Sequence, residues 1–110
     1  MKDLQHKLRD FAARREWEHF HTPKNLVLAL AGEVGELLEI FQWLTPQEAT
    51  GIMSDNSRAS RVAEELADIF GYLLRLADEL QVDLTHALNH KIELNELKSP
   101  ADKARGRSTK

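Results

Sequence analysis

The stretch GEVGEL, residues 32–37, places Glu33 and Glu36 three positions apart inside a segment that otherwise reads as an apolar helix. A second stretch, EELAD, repeats this spacing with Glu65 and Asp68. Residues three positions apart lie on one helical face, about a turn from each other, so each pair presents its carboxylates in one direction. Two such helices facing each other would gather these acids in a small volume, which is costly without cations and suits Mg²⁺. The sequence therefore predicts a magnesium site between two helices.

Composition limits the class of protein. The chain has 110 residues, of which 42% are hydrophobic and 30% charged, so we expect one globular domain with one modest core. We place this single helical domain at residues 1–98. Pro100, Gly106 and five Lys or Arg residues between Lys98 and Lys110 predict a flexible basic tail over residues 99–110.

Charge and cysteine content indicate the surroundings of the protein. Cysteine is absent, which excludes disulfides and thiolate ligands and agrees with a reducing compartment. Residues 1–10 contain no continuous apolar run, so we expect neither a signal peptide nor a membrane span, and a cytoplasmic location. The net charge of −3 argues against nucleic acid or an anionic membrane as a partner. About two-thirds of the chain has a helical pattern with few inward positions per helix. The remaining apolar faces would favour pairing with another copy of the chain, so we expect a homo-oligomer.

The apolar periodicity predicts an all-α fold with four main helices and no strands. The first helix is expected from a cap at Asp3 into Trp17. Thr22 followed by Pro23 is typical of a helix start, and the second helix is expected to reach about Trp43.

The second half of the chain continues the helical pattern. A capping box over residues 45–48 starts a short helical turn that Gly51 ends. A polar break at residues 54–57 precedes the longest helix, which runs to about Leu80, and Asp83 caps a fourth main helix that ends near residue 97.

The position of each acid on its helix separates ligands from surface charge. Glu33 falls inside the apolar stripe of the second helix, Glu36 at its edge, and Glu39 toward solvent. A carboxylate in a core stripe needs a metal or a buried ion pair, so both explanations apply to Glu33. On the next long helix Glu65 lies nearer the apolar side than Glu64, and is the better inward ligand.

Several other side chains could meet a ligand. Tyr72 lies one turn beyond Asp68 on the same face. Lys91 and Asn95 share the apolar stripe of the last helix, where a lysine could neutralise phosphate. Ordinary alternatives are a tyrosine at the edge of the core and a lysine that extends its ammonium group to water.

Aromatic side chains cluster beside the predicted second helix. Trp17, Phe20 and His21 precede it, and Trp43 follows the face that carries Glu36. A planar base could stack on these rings, although tryptophans at helix ends also serve as core packing. His21 could donate a hydrogen bond to a base or phosphate, or could be an ordinary surface residue.

Taken in order, these motifs resemble the MazG-like all-α nucleoside triphosphate pyrophosphatases, and within them the dCTP pyrophosphatase branch. The resemblance covers nearly the whole chain and is carried by WEHFHTPKNL at 17–26, GEVGEL at 32–37, FQW at 41–43, EELAD at 64–68 and KIELN at 91–95. It implies a homotetrameric helical bundle that hydrolyses dCTP, modified dCTP or a related triphosphate to the monophosphate and pyrophosphate with Mg²⁺.

The resemblance also implies roles for individual residues. The catalytic metal ligands would be Glu33, Glu36, Glu65 and Asp68. The nucleotide contacts would be Trp17, His21, Trp43 and Tyr72, with Lys91 and Asn95 on the phosphate or sugar side.

The chain departs from the family pattern at two positions. Gly32 stands where many members have a further Glu, and Leu8 stands where some dCTP pyrophosphatases have a histidine. The same reaction on dUTP or other non-canonical nucleotides therefore stays open, as does a non-enzymatic oligomerisation module. A di-iron bundle is disfavoured because neither acidic motif contains the Glu-x-x-His pair of such sites.

Overall fold

A computed structural model describes residues 1–98, and these residues form helices and connecting turns without strands, so the predicted all-α class is confirmed. The helices are α1 (Lys2–Arg14), α2 (Pro23–Phe41), α3 (Pro46–Thr50), α4 (Asn56–Leu80) and α5 (Leu84–Lys98). Short 3-10 turns cover Glu18–Phe20 and Ile52–Ser54. In this part of the chain no helix combines the length and apolar character needed to cross a membrane.

Local side-chain caps explain where α2 and α3 begin. The Thr22 hydroxyl accepts a hydrogen bond from the Asn25 backbone N–H at 3.4 Å, and Pro23 occupies the first turn. At α3 the Glu48 N–H donates to the Thr45 hydroxyl at 3.1 Å, and the Thr45 N–H donates to the Glu48 carboxylate at 2.9 Å. Each contact satisfies a backbone donor that the helix itself leaves unpaired, as the sequence predicts.

Aspartates perform the same task for the last two helices. Asp55 accepts hydrogen bonds from the backbone N–H groups of Ser57 and Arg58, at 3.1 and 3.3 Å. Asp83 accepts one from the His86 N–H at 3.0 Å. The predicted starts of both helices are therefore confirmed.

The predicted cap and the predicted end of the first helix are wrong. The helix begins before Asp3, which lies in its first turn instead of capping it, and ends at Arg14. Glu16 adopts a left-handed conformation with φ of 57°. The Trp17 N–H donates back to the Ala12 carbonyl at 2.9 Å. This backbone reversal ends the helix and returns the chain toward it, so that the Trp17 ring packs edge to face against Phe11.

The central packing is that of α2 along α4, and α1 packs on α4 as well. One cluster of the core joins α2 and α4 to the 3-10 turn at Ile52–Ser54. It consists of Ile40, Ile52 and Val62, with Leu37, Phe41 and Leu44 against it. Leu26 and Leu74 are also fully buried. Because α2 and α4 pack lengthwise, the acidic faces of the two helices can meet.

The chain divides into two compact units, Met1–Leu80 and Gln81–Lys110. The first contains α1 to α4, and α5 is the described helix of the second. The assignment of residues 1–98 to one domain stays a prediction. The predicted flexible basic tail, residues 99–110, lies outside the described residues.

Candidate functional site

An acidic cluster lies where α2 and α4 pack together. It consists of Glu33 and Glu36 from α2 and Glu65 from α4, and one carboxylate oxygen of each lies within 4.8 Å of the others. Glu33 and Glu65 are partly buried, and Glu36 is exposed. The spacing of three residues along α2 and the pairing of the two helices together produce this convergence.

The electrostatics of the acidic cluster are unfavourable for the protein alone. The pKa of Glu33 is raised from 4.5 to about 7. The causes are burial, the hydrogen bonds that its protonated carboxyl donates to Glu65 and Glu36, and the negative charges of these two residues. The pKa of Glu65 is raised too, chiefly by burial. Within the described residues, the Glu65 Oε2 atom is buried without a hydrogen-bond partner. A buried carboxylate oxygen left unpaired costs free energy, so a cation bound beside it would be stabilising.

The donor atoms of the acidic cluster fit a hard divalent cation. All three residues offer carboxylate oxygens, the ligands that Mg²⁺ and Ca²⁺ prefer. A bound cation would pair with the orphaned Glu65 Oε2 and would offset the repulsion that raises both pKa values. The cluster could therefore hold a divalent metal.

Asp68, expected as a further ligand, lies at the margin of the acidic cluster. It is exposed and is not among the residues whose oxygens converge within 4.8 Å. Its negative charge nevertheless contributes to the raised pKa of Glu65, one turn earlier on α4. Glu39 and Glu64, interpreted from the sequence as surface charges, are both exposed.

A cavity of about 250 Å³ opens next to Asp68. Its walls come from α1, from the turn after it, and from α4. The lining residues are Leu8, Phe11, Ala12, Trp17, His21, Ala67, Asp68, Gly71, Tyr72 and Arg75. Trp17, His21 and Tyr72, which the family resemblance implies as nucleotide contacts, thus border one cavity.

An aromatic wall forms one side of this cavity. The Phe11 and Trp17 rings meet edge to face, with centroids 5.4 Å apart, and the His21 ring lies 6.0 Å from Trp17. The Arg15 guanidinium lies over the Phe11 ring at 3.8 Å. Such a wall suits a flat, partly apolar ligand such as a nucleobase.

Trp43, one of the implied nucleotide contacts, does not line this cavity. Trp43 lies two residues beyond the end of α2 and is 86% exposed. The second helix is shorter than predicted, since it ends at Phe41. Lys91 and Asn95 lie on α5, in the second compact unit. The roles of these three side chains stay predictions.

The structure adds cavity residues that the sequence analysis did not identify as site residues. Phe11 comes from α1 and Arg75 from α4. Arg75 follows Asp68 by seven positions and Tyr72 by three, so all three share a face of α4. That spacing could have identified Arg75 as a site residue, but an arginine on a helix is usually interpreted as a surface charge.

Comparison with known proteins agrees with the fold and the motifs. The MazG-like family model matches residues 29–110. The chain is 43% identical over 110 residues to dCTP pyrophosphatase 1 of Homo sapiens and 45% identical over 112 residues to that of Bos taurus. All of this chain is aligned in both cases, but it spans only 65% of the length of each relative.

A solved structure is similar as well. A pyrophosphatase from Archaeoglobus fulgidus DSM 4304 superposes with a TM-score of 0.83 at 42% identity, covering 91% of this chain and 92% of that one. The family match covers well over half of the chain, and these relatives agree with it. The chain therefore belongs to the MazG-like family.

Proposed function

We propose that the protein is a Mg²⁺-dependent nucleoside triphosphate pyrophosphohydrolase. Its proposed substrate is dCTP or a modified dCTP, and its products are the monophosphate and pyrophosphate. The names of the relatives support this reaction, since two are dCTP pyrophosphatases and the solved structure is a pyrophosphatase.

The position of Asp68 carries the proposal. This residue borders the cavity that suits a base, and its charge acts on Glu65 of the acidic cluster. A nucleotide whose base enters the cavity would therefore have its phosphates near the carboxylates. Phosphate groups and clustered carboxylates repel each other, so the pair requires a cation between them.

Each group then has a task. Trp17 and Tyr72 would hold the base, while Glu33, Glu36, Glu65 and Asp68 would hold Mg²⁺. When bound, Mg²⁺ neutralises phosphate charge and lowers the pKa of water. In the reaction a water oxygen forms a bond to a phosphorus, and the bond to the leaving pyrophosphate breaks. The carboxylates act as positioned anions and need not be nucleophiles.

The proposal includes a homotetramer. Apolar side chains on α2 and α4 are exposed in the single chain, among them Leu28 at 60%, Leu38 at 61% and Leu66 at 52%. Burying such side chains against other copies would be favourable. Sedimentation equilibrium measures the mass directly, and a monomer at micromolar concentration would contradict this part.

The decisive experiment measures pyrophosphate release from a panel of triphosphates with Mg²⁺ and with EDTA. We expect dCTP or a 5-substituted dCTP to give the highest kcat/KM, and EDTA to abolish the reaction. If dUTP gave the highest kcat/KM, the proposed reaction would stand and the proposed substrate would change. Absence of turnover on every triphosphate would contradict the proposal and favour the oligomerisation module.

A further inference from the structure

Arg75 is a buried charged side chain at the cavity. Its side chain is 5% exposed. The guanidinium donates to Asp78 Oδ2 at 3.1 Å and to Glu79 Oε1 at 3.0 Å, which provides the counter-charge that a buried arginine requires. Both partners are on α4, within one turn of Arg75. These ion pairs leave the Nε–H of the guanidinium for another acceptor.

That acceptor is His21. The Arg75 Nε–H donates to the Nδ1 atom of His21, with the two nitrogens 3.4 Å apart. A guanidinium has only donors and stays protonated, so the nitrogen that faces it must present a lone pair. This hydrogen bond requires an unprotonated Nδ1 on His21, which in a neutral ring puts the proton on Nε2.

The charges around His21 agree with a neutral ring. Burial lowers the pKa of His21, and the Arg75 charge lowers it further, while the smaller effect of the Glu79 carboxylate opposes them. The uncharged Trp17 ring lies beside the His21 ring, tilted and with the centroids 6.0 Å apart. Protonation of His21 would place a proton on Nδ1, directly against the guanidinium.

We propose that Arg75 is a positioning residue that holds His21 in the Nε2–H tautomer, so that the ring offers a hydrogen-bond donor to an acceptor atom of the molecule bound in the cavity. A pyrimidine carbonyl oxygen is an acceptor of this kind. The inference deepens the proposed function and rests on it for the identity of the ligand. Arg75 acts only through His21 and through the shape of the cavity wall.

Nitrogen NMR of the unmodified protein tests the tautomer directly. Long-range ¹H–¹⁵N correlation spectra of the ¹⁵N-labelled protein at neutral pH distinguish a protonated ring nitrogen from one with a free lone pair. We expect His21 to show an unprotonated Nδ1 and a protonated Nε2. An Nδ1–H tautomer, or a charged ring at neutral pH, would overturn the proposal without any variant being made.

A matched pair of substitutions tests whether Arg75 is the cause. Arg75→Lys keeps a positive charge near Asp78 and Glu79 but removes the Nε–H donor. Arg9→Lys is the control, because Arg9 also donates to Asp78, at 2.9 and 3.0 Å, without contacting His21. We expect a tautomer mixture in Arg75→Lys alone. The same spectrum in Arg75→Lys as in the unmodified protein would contradict the proposal.

Kinetics of pyrophosphate release supply the second readout. We expect Arg75→Lys to raise KM roughly five-fold, the factor for one neutral hydrogen bond, with kcat little changed. In a His21→Ala background the same substitution should change KM less than about two-fold, because the two residues act as a unit. If Arg75→Lys raised KM by the same factor in the unmodified and the His21→Ala backgrounds, the proposal would be overturned.

The two proposals fail in different measurements. The tautomer is observed in the free protein and does not depend on turnover. Absence of pyrophosphate release from every triphosphate ends the proposed function but leaves the tautomer result standing. If His21 is the Nδ1–H tautomer and pyrophosphate release is normal, only the positioning role of Arg75 is disproved.

Discussion

The acidic cluster and the cavity lie side by side on α4, yet their charges are handled in opposite ways. In the cavity, the buried Arg75 is paired with Asp78 and Glu79 from its own helix. In the acidic cluster, Glu33 and Glu65 face one another with raised pKa values. The buried charge beside the cavity is thus balanced by neighbouring side chains, whereas a bound cation would offset the repulsion within the acidic cluster. A binding region for a nearly neutral base and one for metal and phosphate would differ in this way.

The largest expected effect comes from removing one charge of the acidic cluster. Glu65→Gln should lower kcat roughly a thousand-fold, the range seen when a transition-state charge loses a stabilising group. Glu64→Gln is the matched control, since the neighbouring Glu64 is exposed. Steady-state pyrophosphate release measures both. Comparable losses in the two variants would place the metal elsewhere.

Glu33→Ala and Asp68→Ala extend this test. Both should abolish hydrolysis. Glu33→Ala should also keep or raise the melting temperature of the metal-free protein, because it relieves carboxylate repulsion. Thermal unfolding in EDTA checks this second part, and near-normal turnover in either variant would contradict the metal assignment.

Metal binding should stabilise the folded chain. Millimolar Mg²⁺ at slightly alkaline pH should raise the melting temperature by about 5 °C or more, since a cation that binds only the folded state shifts the equilibrium toward it. Calorimetry with NaCl at matched ionic strength is the control. Glu65→Gln should remove most of the shift, and an equal shift in that variant would show general screening instead.

The pH dependence of stability should report on Glu33. Its pKa of about 7 in the folded protein exceeds the ordinary 4.5, so the folded state binds more protons between these values. Stability without metal should therefore fall as pH rises through this window. Urea unfolding in EDTA measures the free energy of unfolding at each pH. Subtracting the values for Glu33→Gln removes the contributions of other groups such as His21. If the difference in stability between the unmodified protein and Glu33→Gln did not change with pH, the raised pKa of Glu33 would be contradicted.

The smallest expected effect concerns the aromatic wall of the cavity. Trp17→Ala should raise KM for the nucleotide about ten-fold through lost stacking and burial, with a smaller effect on kcat. Phe20→Ala is the control, because Phe20 lies nearby in the chain, is 59% exposed and does not line the cavity. Equal changes in KM for the two variants would argue against a base in this cavity.

The chemistry of the acidic cluster was easier to predict than that of the cavity. Glu33 and Glu65 stand out because carboxylates seldom lie on apolar helical stripes. Phe11 and Arg75 stand out less, since a phenylalanine and an arginine on amphipathic helices are ordinary, and only the spacing of Arg75 from Asp68 and Tyr72 pointed to the site. Trp17 was predicted to continue the first helix, but the left-handed Glu16 turns it toward the cavity instead.

The amino-acid sequence by itself determined the helical class, the starts of most helices and which acids share a face. Caps such as Thr22 and Asp55, and the spacing from Glu33 to Glu36, act between residues within one turn of each other. Only the tertiary structure decided that the acids of α2 meet Glu65 and that Arg75 is buried beside His21. Those contacts join residues far apart in the chain, and they depend on how whole helices pack.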